Sequence, residues 1–147
     1  MIILVSACLL GENCKYDGGS NRNEWLLKLG EEHTLIPVCP EMLGGLPAPR
    51  SPSEIVGGIV MGRDGRSYDS AFRNGARAAF EIAKESGAEL AILQSRSPSC
   101  GVSEIYDGTF SGAKIPGSGV FASLLKQEGF RVLDIADAER EFSSGGD

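Results

Sequence analysis

Residues 88–101 read AELAILQSRSPSCG, a short apolar run followed at once by a turn and a cysteine. The run from Leu90 to Leu93 shows no alternation of polar and apolar residues, which is typical of a strand buried on both faces of a parallel sheet. Serine and proline then interrupt the strand pattern before Cys100. The stretch therefore predicts a central strand whose carboxyl end presents a thiol.

The same pattern occurs twice more, in MIILVSAC (1–8) and in HTLIPVC (33–39). Strand patterns that alternate with helical ones predict an α/β fold with a largely parallel sheet flanked by helices. The carboxyl ends of parallel strands meet at one edge of the sheet, and ligands bind in the crevice there. We therefore expect Cys8, Cys39 and Cys100 to converge.

The rest of the chain supplies helices, a further strand and loops. Helices are predicted over 24–29, from a cap at Asp69 or Ser70 to Gly87, over 120–128 and over 136–142, and another strand over 130–135. Residues 39–54 are rich in proline and are predicted to be irregular, as is the glycine-rich loop 108–119. Asp64-Gly65 predicts a hairpin turn between two β-like pieces. Residues 1–147 are predicted to form one domain, with 143–147 as a flexible tail.

Composition narrows the class of partner. The 147 residues carry a net charge of −6 and no cluster of Lys and Arg, which argues against binding to nucleic acid and is compatible with a small substrate. No apolar run approaches the length of a membrane helix, and the apolar start lacks the basic region of a signal peptide. The expected location is the cytoplasm, where cysteines more often bind metals or act in catalysis than form disulfides.

Four cysteines are present, and their spacing favours a soft-metal site. Cys8, Cys39 and Cys100 are far apart in sequence and lack the paired short spacing of structural zinc sites. The single histidine, His33, stands at the start of a strand, at the edge opposite the thiols, so a Cys–His nucleophile is poorly supported. The cysteines are therefore candidate ligands of an iron–sulfur cluster or of zinc. The alternative is that each cysteine is only a small hydrophobic residue packed in the core. Cys14 is either an accidental or an auxiliary thiol.

Four blocks of the sequence resemble the recurring blocks of the DUF523 family, which includes the thiouracil desulfidases. They are SACLLGENCKYDGG (6–19), VCPEMLGGLPAPRSPSE (38–54), SRSPSCG (95–101) and IPGSGVFASLL (115–125). The resemblance implies a compact, single-domain, Rossmann-like α/β fold. For the desulfidase members it also implies a 4Fe-4S cluster on three cysteines, with one iron open to the sulfur of a thiolated pyrimidine or a similar thioamide.

Carried over residue by residue, the resemblance implies Cys8, Cys39 and Cys100 as cluster ligands. It implies Glu41 as the catalytic carboxylate and Ser97 as the catalytic serine, with Ser99 as its competitor. Read from one residue earlier, the third block is QSRSPSCG (94–101), and the family pattern leads us to expect a lysine near its start.

These residues permit non-redox hydrolysis of a thiocarbonyl. Iron in a sulfide cage is soft and prefers sulfur, a carboxylate can take the proton of an attacking water, and a serine can stabilise developing charge.

Other interpretations stay open for each of these residues. Glu41 is alternatively a turn cap and Ser97 a turn former, while Arg50 either meets a substrate oxygen or pairs with a carboxylate. The competing functions are a non-enzymatic zinc or iron–sulfur sensing module, which would need Cys14 as a fourth ligand, and a cysteine-dependent hydrolase or redox enzyme.

Overall fold

A computed structural model describes residues 1–144. The elements are, in chain order, β1 (Ile2–Ser6), a 3-10 helix (Ala7–Leu10), α1 (Glu24–Leu29), β2 (Thr34–Val38), α2 (Pro40–Leu43), β3 (Ser53–Val56), β4 (Ile59–Gly62), α3 (Asp69–Ser86), β5 (Leu90–Leu93), β6 (Glu104–Tyr106), β7 (Lys114–Pro116), α4 (Val120–Gln127), β8 (Val132–Asp134) and α5 (Ile135–Ser144). The central sheet has the order β2-β1-β5-β8, and all its neighbouring strands are parallel. The predicted α/β fold is confirmed.

The sheet is covered on both faces, which explains why its strands lack alternation. On β1, Leu4 packs with α3 and α4 on one face, whereas Ile3 and Val5 pack with α1 and α5 on the other. All three side chains are fully buried. Burial of apolar area on both faces contributes about 25 cal/mol per Å² and makes this sheet the centre of the core.

The strand order creates a crevice at the carboxyl edge. The chain passes from β1 to β2 on one side and later returns to β5 on the other side of β1. Connections that leave adjacent strands in opposite directions open the space in which ligands of such sheets bind. Cys8 follows β1, Cys39 follows β2, and Cys100 follows β5.

Helix α2 corrects the prediction that residues 39–54 are irregular. Pro40 occupies the first helical position, where its missing N–H costs nothing and its fixed φ favours a helix. A proline that would break the interior of a helix therefore starts one at this position. Strand β3 also begins inside the segment, at Ser53.

Helix α2 lies against α3 with backbone touching backbone. A Cβ atom on Gly75 of α3 would stand 1.7 Å from the carbonyl oxygen of Pro40, and one on Gly44 would stand 2.0 Å from that of Ala71. Both distances are far inside van der Waals contact, so the two glycines set how close the helices come. This packing fixes Cys39 and Glu41, which sit at the start of α2.

Helix α3 ends at Gly87 as predicted, in a left-handed conformation, but its start differs. The cap position is Tyr68, which makes no side-chain capping bond. The Asp69 carboxylate instead accepts a hydrogen bond from Val60 N at 3.0 Å and pairs with Arg73. The predicted capping residue therefore ties the helix to β4.

Two antiparallel hairpins flank the crevice. The sequence predicts the turn of the first at the wrong dipeptide and does not predict the second. The β3–β4 ladder turns at Gly57-Gly58, both with positive φ, rather than at Asp64-Gly65. Asp64-Gly65 closes a single bridge between Met61 and Ser67. The second hairpin, β6–β7, enters the loop that we predicted to be irregular, because three-residue strands leave too little periodicity to detect.

At the C-terminus, α5 extends to Ser144, two residues into the predicted tail, and the remainder of that tail lies outside the described residues. Within residues 1–144, no helix combines the length and the apolar character needed to cross a membrane.

Candidate functional site

A cavity of about 460 Å³ opens at the carboxyl edge of the sheet. The four cysteines line it, together with Glu41 and Ser97. The three thiols expected to converge therefore do so, and the fourth joins them. No disulfide links them in this structure.

Each of the three predicted ligands is held by a regular element or a tight turn. Cys8 lies in the 3-10 helix that continues β1, and its carbonyl oxygen accepts hydrogen bonds from Gly11 N and Asn21 N. Cys39 is the N-cap residue of α2. Cys100 ends the turn after β5, and its N–H donates to Ser97 Oγ at 3.1 Å.

Cys14 lies among the other thiols, which the sequence left undecided. It is 7% exposed and lines the cavity, and its carbonyl oxygen accepts a hydrogen bond from the Cys39 thiol at 3.9 Å. Its carbonyl oxygen accepts a hydrogen bond from Arg50 Nη2 at 2.8 Å. Its place in a glycine-punctuated loop gave no indication of where the thiol would point.

These contacts divide the thiols by acidity. The hydrogen bond from Cys14 lowers the pKa of Cys39 to about 7 and also lowers that of Cys8, whose sulfur accepts a further bond from Asn21 Nδ2 at 3.4 Å. Donating those bonds raises the pKa of Cys14, and burial raises that of Cys100. Cys8 and Cys39 are therefore the thiols best prepared to act as thiolates, the form that binds metals.

The cysteine sulfurs at the cavity are of the chemical type that binds an iron–sulfur cluster. Within residues 1–144, no three His, Cys, Asp or Glu side chains already surround one point as metal ligands would. The Cys39 thiol instead donates to the carbonyl oxygen of Cys14 at 3.9 Å, and Cys100 Sγ lies 3.8 Å from Ser99 Oγ. Several cysteine sulfurs on one cavity are nevertheless the ligands that iron–sulfur clusters use.

Glu41 is engaged through both carboxylate oxygens. Oε1 lies 3.2 Å from Arg50 Nη2, and Oε2 accepts a hydrogen bond from Ser99 Oγ at 2.9 Å. The side chains of Arg50 and Glu41 are only 8% and 16% exposed. Of the alternatives for Arg50, the structure therefore shows the carboxylate-paired one.

The two candidate serines occupy different positions. Ser97 lines the cavity, whereas Ser99 is fully buried behind it. Ser97 Oγ accepts the N–H groups of Ser99 and Cys100 and lies 3.0 Å from Ser99 Oγ. A chain of hydrogen bonds thus runs from the cavity surface at Ser97, through Ser99, to the carboxylate of Glu41.

His33 stays away from this site. It precedes β2 at the amino edge of the sheet and makes an edge contact with the ring of Phe142. No thiol shares that edge, so the structure offers no Cys–His pair.

The two hairpins and their loops form a further wall that we missed in the sequence. Phe110 lines the cavity with a left-handed backbone (φ 56°), which is uncommon for a bulky residue. Glu54 of β3 holds this conformation by accepting hydrogen bonds from the N–H groups of Gly108 and Phe110. The guanidinium of Arg63 lies 5.8 Å from the centre of the Phe110 ring. This wall places an aromatic ring and a guanidinium side by side at the cavity.

Comparison with known proteins finds a family and a solved structure that both concern the removal of sulfur from thiouracil. The sequence matches the 2-thiouracil desulfurase family over residues 3–137. It is 44% identical over 142 residues to YbbK, an uncharacterized protein of Bacillus subtilis (strain 168), covering 90% of this chain and 94% of YbbK. The structure resembles that of the 4Fe-4S-dependent thiouracil desulfidase TudS, with a TM-score of 0.88 and 38% identity, covering 94% of this chain and 93% of TudS.

Proposed function

The chain belongs to the 2-thiouracil desulfurase family, and from this we propose that it removes sulfur from thiouracil or a related cyclic thioamide by non-redox hydrolysis. One observation carries the proposal: the thiols, Glu41 and Ser97 line a single cavity. Ligands for a soft metal and groups that can move protons therefore face the same bound molecule.

Cys8, Cys39 and Cys100 would hold a 4Fe-4S cluster. The proposal is supported by the cluster dependence of TudS and by the placement of the three cysteines directly after strand ends. When bound, such a cluster supplies a soft Lewis acid that prefers the sulfur of a thiocarbonyl to an oxygen.

Glu41 would act as the general base. Glu41 lines the cavity, and the hydrogen bonds through Ser99 and Ser97 connect its carboxylate to the cavity surface, so it can take a proton from the water that attacks the carbon of the C=S group. The new C–O bond replaces the C–S bond, sulfide leaves, and thiouracil and water become uracil and hydrogen sulfide without net electron transfer. Arg50 balances the charge of the mostly buried carboxylate and fixes its orientation.

Ser97 and Ser99 would have separate roles. Ser97 stands at the cavity surface, and because it donates its single hydroxyl proton to Ser99 Oγ, it can pass that proton toward Glu41 while it takes one from the substrate or the attacking water. Ser99 is a positioning residue, since its hydroxyl connects Ser97 to Glu41 and does not reach the cavity. Proton movement between substrate and Glu41 can follow this chain.

The aromatic wall would bind the ring. The face of Phe110 can stack on a planar heterocycle, and aromatic stacking contributes about 0.5–1.5 kcal/mol beyond area burial.

The test is to supply the cluster-containing protein, without oxygen, with 2- or 4-thiouracil and no electron donor. Sulfide and uracil should appear in equal amounts. Glu41→Gln should keep the cluster but lower turnover by a general-base factor of about 10²–10⁴. Ser97→Ala should lower turnover more than Ser99→Ala does, because only Ser97 reaches the cavity surface.

Three outcomes would count against the proposal. A strict need for an electron donor would contradict the non-redox mechanism, and unimpaired Glu41→Gln would remove the base. Absence of reaction with an intact cluster would leave the rival function, a non-enzymatic metal site, which is favoured by the presence of Cys14 on the same cavity as the other three cysteines.

A further inference from the structure

We propose that Asn21 is a positioning residue for the cluster: its side-chain amide donates a hydrogen bond to the sulfur of Cys8 and lowers the electron density that this sulfur gives to iron. The inference rests on the proposed function, because it presupposes the cluster. It concerns a residue outside both the three proposed ligands and the proposed proton chain.

Asn21 contacts Cys8 through its side chain and through its main chain. Its Nδ2 lies 3.4 Å from Cys8 Sγ, which is within hydrogen-bond distance for an acceptor as large as sulfur. Its main-chain N–H donates to the carbonyl oxygen of Cys8 at 2.9 Å. Both residues also line the cavity. The contact therefore belongs to the site, and the second bond fixes how the amide approaches the sulfur.

The chemistry of the acceptor decides which end of the amide faces it. A thiolate only accepts hydrogen bonds, whereas an asparagine side chain has two N–H donors at one end and an acceptor oxygen at the other. The nitrogen end of Asn21 is therefore the end that can stabilise Cys8 as an iron ligand. Aspartate has nearly the same shape but would place a negatively charged oxygen against the thiolate.

The main chain holds Asn21 in place independently of its contact with sulfur. Asn21 stands near the end of the loop that leaves the 3-10 helix and leads to α1. Two residues further on, the main chain of Asn23 donates to Leu9 O at 2.8 Å. The Asn23 side chain accepts a hydrogen bond from Leu26 N at 2.9 Å and so caps α1. Because the loop is tied to both helices beside Asn21, the amide is already oriented toward the ligand.

A hydrogen bond of this kind changes the ligand electronically. Hydrogen bonds to the sulfurs of an iron–sulfur cluster help to set its reduction potential, and residues beyond the ligands tune metal sites in general. An N–H group that draws electron density from the Cys8 thiolate leaves less of it for iron. The reduction potential then rises, and the irons become stronger Lewis acids toward a thiocarbonyl sulfur. A non-redox hydrolysis benefits from the second effect, since it needs an electrophilic iron.

The side-chain contact at Cys100 differs in kind. Ser99 Oγ lies 3.8 Å from Cys100 Sγ, but the serine donates its single proton to Glu41 at 2.9 Å. That hydroxyl therefore serves the proton chain, whereas the amide of Asn21 contacts a ligand sulfur directly. Of these two neighbours, Asn21 is the one whose replacement should change a ligand without interrupting the proton chain.

The experiment compares wild-type protein with Asn21→Leu and Asn21→Asp after anaerobic reconstitution with iron and sulfide. Both variants keep nearly the shape of asparagine, but the first has no donor and the second carries a negative charge. A redox titration, followed by electron paramagnetic resonance of the reduced cluster, should give a lower potential for Asn21→Leu than for wild type and the lowest for Asn21→Asp. A chelator should remove iron several-fold faster from Asn21→Asp than from wild type, because the carboxylate repels the thiolate.

Gln94→Leu is the matched control. It removes another side-chain amide from the lining of the same cavity and keeps the hydrogen bond from the Gln94 main chain to Ser6 Oγ. Its reduction potential should equal that of wild type. An equal fall of the potential in Gln94→Leu and Asn21→Leu would mean that the polarity of the cavity is the cause, and this result would overturn the inference.

A second measurement detects the hydrogen bond itself. Resonance Raman spectra of the wild-type cluster should contain an iron–thiolate stretching band that shifts when N–H groups are exchanged in deuterated water. This shift should be lost in Asn21→Leu and kept in Gln94→Leu. Circular dichroism and bound iron confirm that each variant is folded and loaded.

The outcomes separate this inference from the proposed function. If no form of the protein binds iron, both fail. If the potentials and the deuterium shift behave as expected but no thiouracil is hydrolysed, the proposed reaction alone fails. If wild type hydrolyses thiouracil but Asn21→Leu has the wild-type potential or the wild-type deuterium shift, this inference alone fails. If Asn21→Leu holds no cluster, the inference is overturned by a wild-type spectrum without a deuterium shift and supported by a shift that Asn21→Asp lacks.

Discussion

Arg50 joins parts of the site that are distant in sequence. Its Nη2 lies against both Glu41 Oε1 and Cys14 O, and its Nη1 donates to Pro47 O at 2.9 Å. One guanidinium therefore sets the orientation of the proposed base and the position of the Cys14 loop. A lysine has a single ammonium group, so it could not contact Glu41, Cys14 O and Pro47 O with the separate nitrogens that a guanidinium provides.

Removing this charge should destabilise the fold through Glu41. Arg50→Met leaves a mostly buried carboxylate without its partner, and breaking such a pair costs about 3 kcal/mol, the low end of the usual range because Glu41 borders a cavity. Urea unfolding of the cluster-free protein measures the loss.

The double variant Arg50→Met, Glu41→Gln is the control for that prediction. It removes both charges, so much of the lost stability should return. A double variant that is no more stable than Arg50→Met would show that the ion pair is not the cause.

At the scale of elements, the α2–α3 contact determines where Cys39 and Glu41 stand. Alanine in an open helix is normally about 1 kcal/mol more favourable than glycine. At Gly75 the sign should reverse, because the added Cβ would overlap the Pro40 carbonyl. Gly75→Ala should therefore lower the free energy of unfolding by about 1–3 kcal/mol and displace the start of α2.

Two readouts test the Gly75→Ala prediction: chemical unfolding, and the amount of iron bound after reconstitution, which should fall as Cys39 moves. Asn74→Ala is the matched control, since its side chain is exposed on the same helix and its replacement should be neutral or slightly stabilising. A Gly75→Ala protein with wild-type stability and iron content would mean that α2 is not held by this contact.

Helices and strands could be predicted from the sequence where an apolar pattern was long or fully buried. They could not be predicted where an element was very short or where two dipeptides could each form the hairpin turn. The apolar runs before Cys8, Cys39 and Cys100 identified three central strands, since a parallel sheet buries both faces. The four-residue α2 offered too few positions for a helical period. Asp64-Gly65 and Gly57-Gly58 are both good hairpin turns, and only the register of the ladder decides between them.

At the scale of the whole molecule, the site is assembled by topology. Parallel strands bring three sequence-distant thiols to one edge, so the strand pattern alone was enough to predict their convergence. Cys14, Arg50 and Phe110 could not be predicted in this way, because their positions depend on loop conformations and on single side-chain hydrogen bonds.

A cluster held by Cys8, Cys39 and Cys100 should stabilise the whole chain, because its ligands come from three separate segments. A ligand present at a thousandfold excess over its Kd adds about 4 kcal/mol. For a chain of this length, that gain raises Tm by about 10 °C. Anaerobic scanning calorimetry with and without the cluster measures the shift.

Cys39→Ser, treated in the same way, is the control and should show no shift. Equal Tm values for wild-type protein with and without bound iron would mean that the cluster does not link these segments.

The wall formed by Phe110, Arg63 and Glu54 belongs to the two hairpins, outside the sheet that carries the thiols. Under the proposed function, the residues for the reaction and those that would select the ring therefore lie in separate parts of the chain. Such a division would allow evolution to change the hairpins, and with them the heterocycle accepted, while the cysteine-bearing edge is inherited unchanged. The same division makes loop 107–113 the natural place to redirect this scaffold toward other thiolated rings.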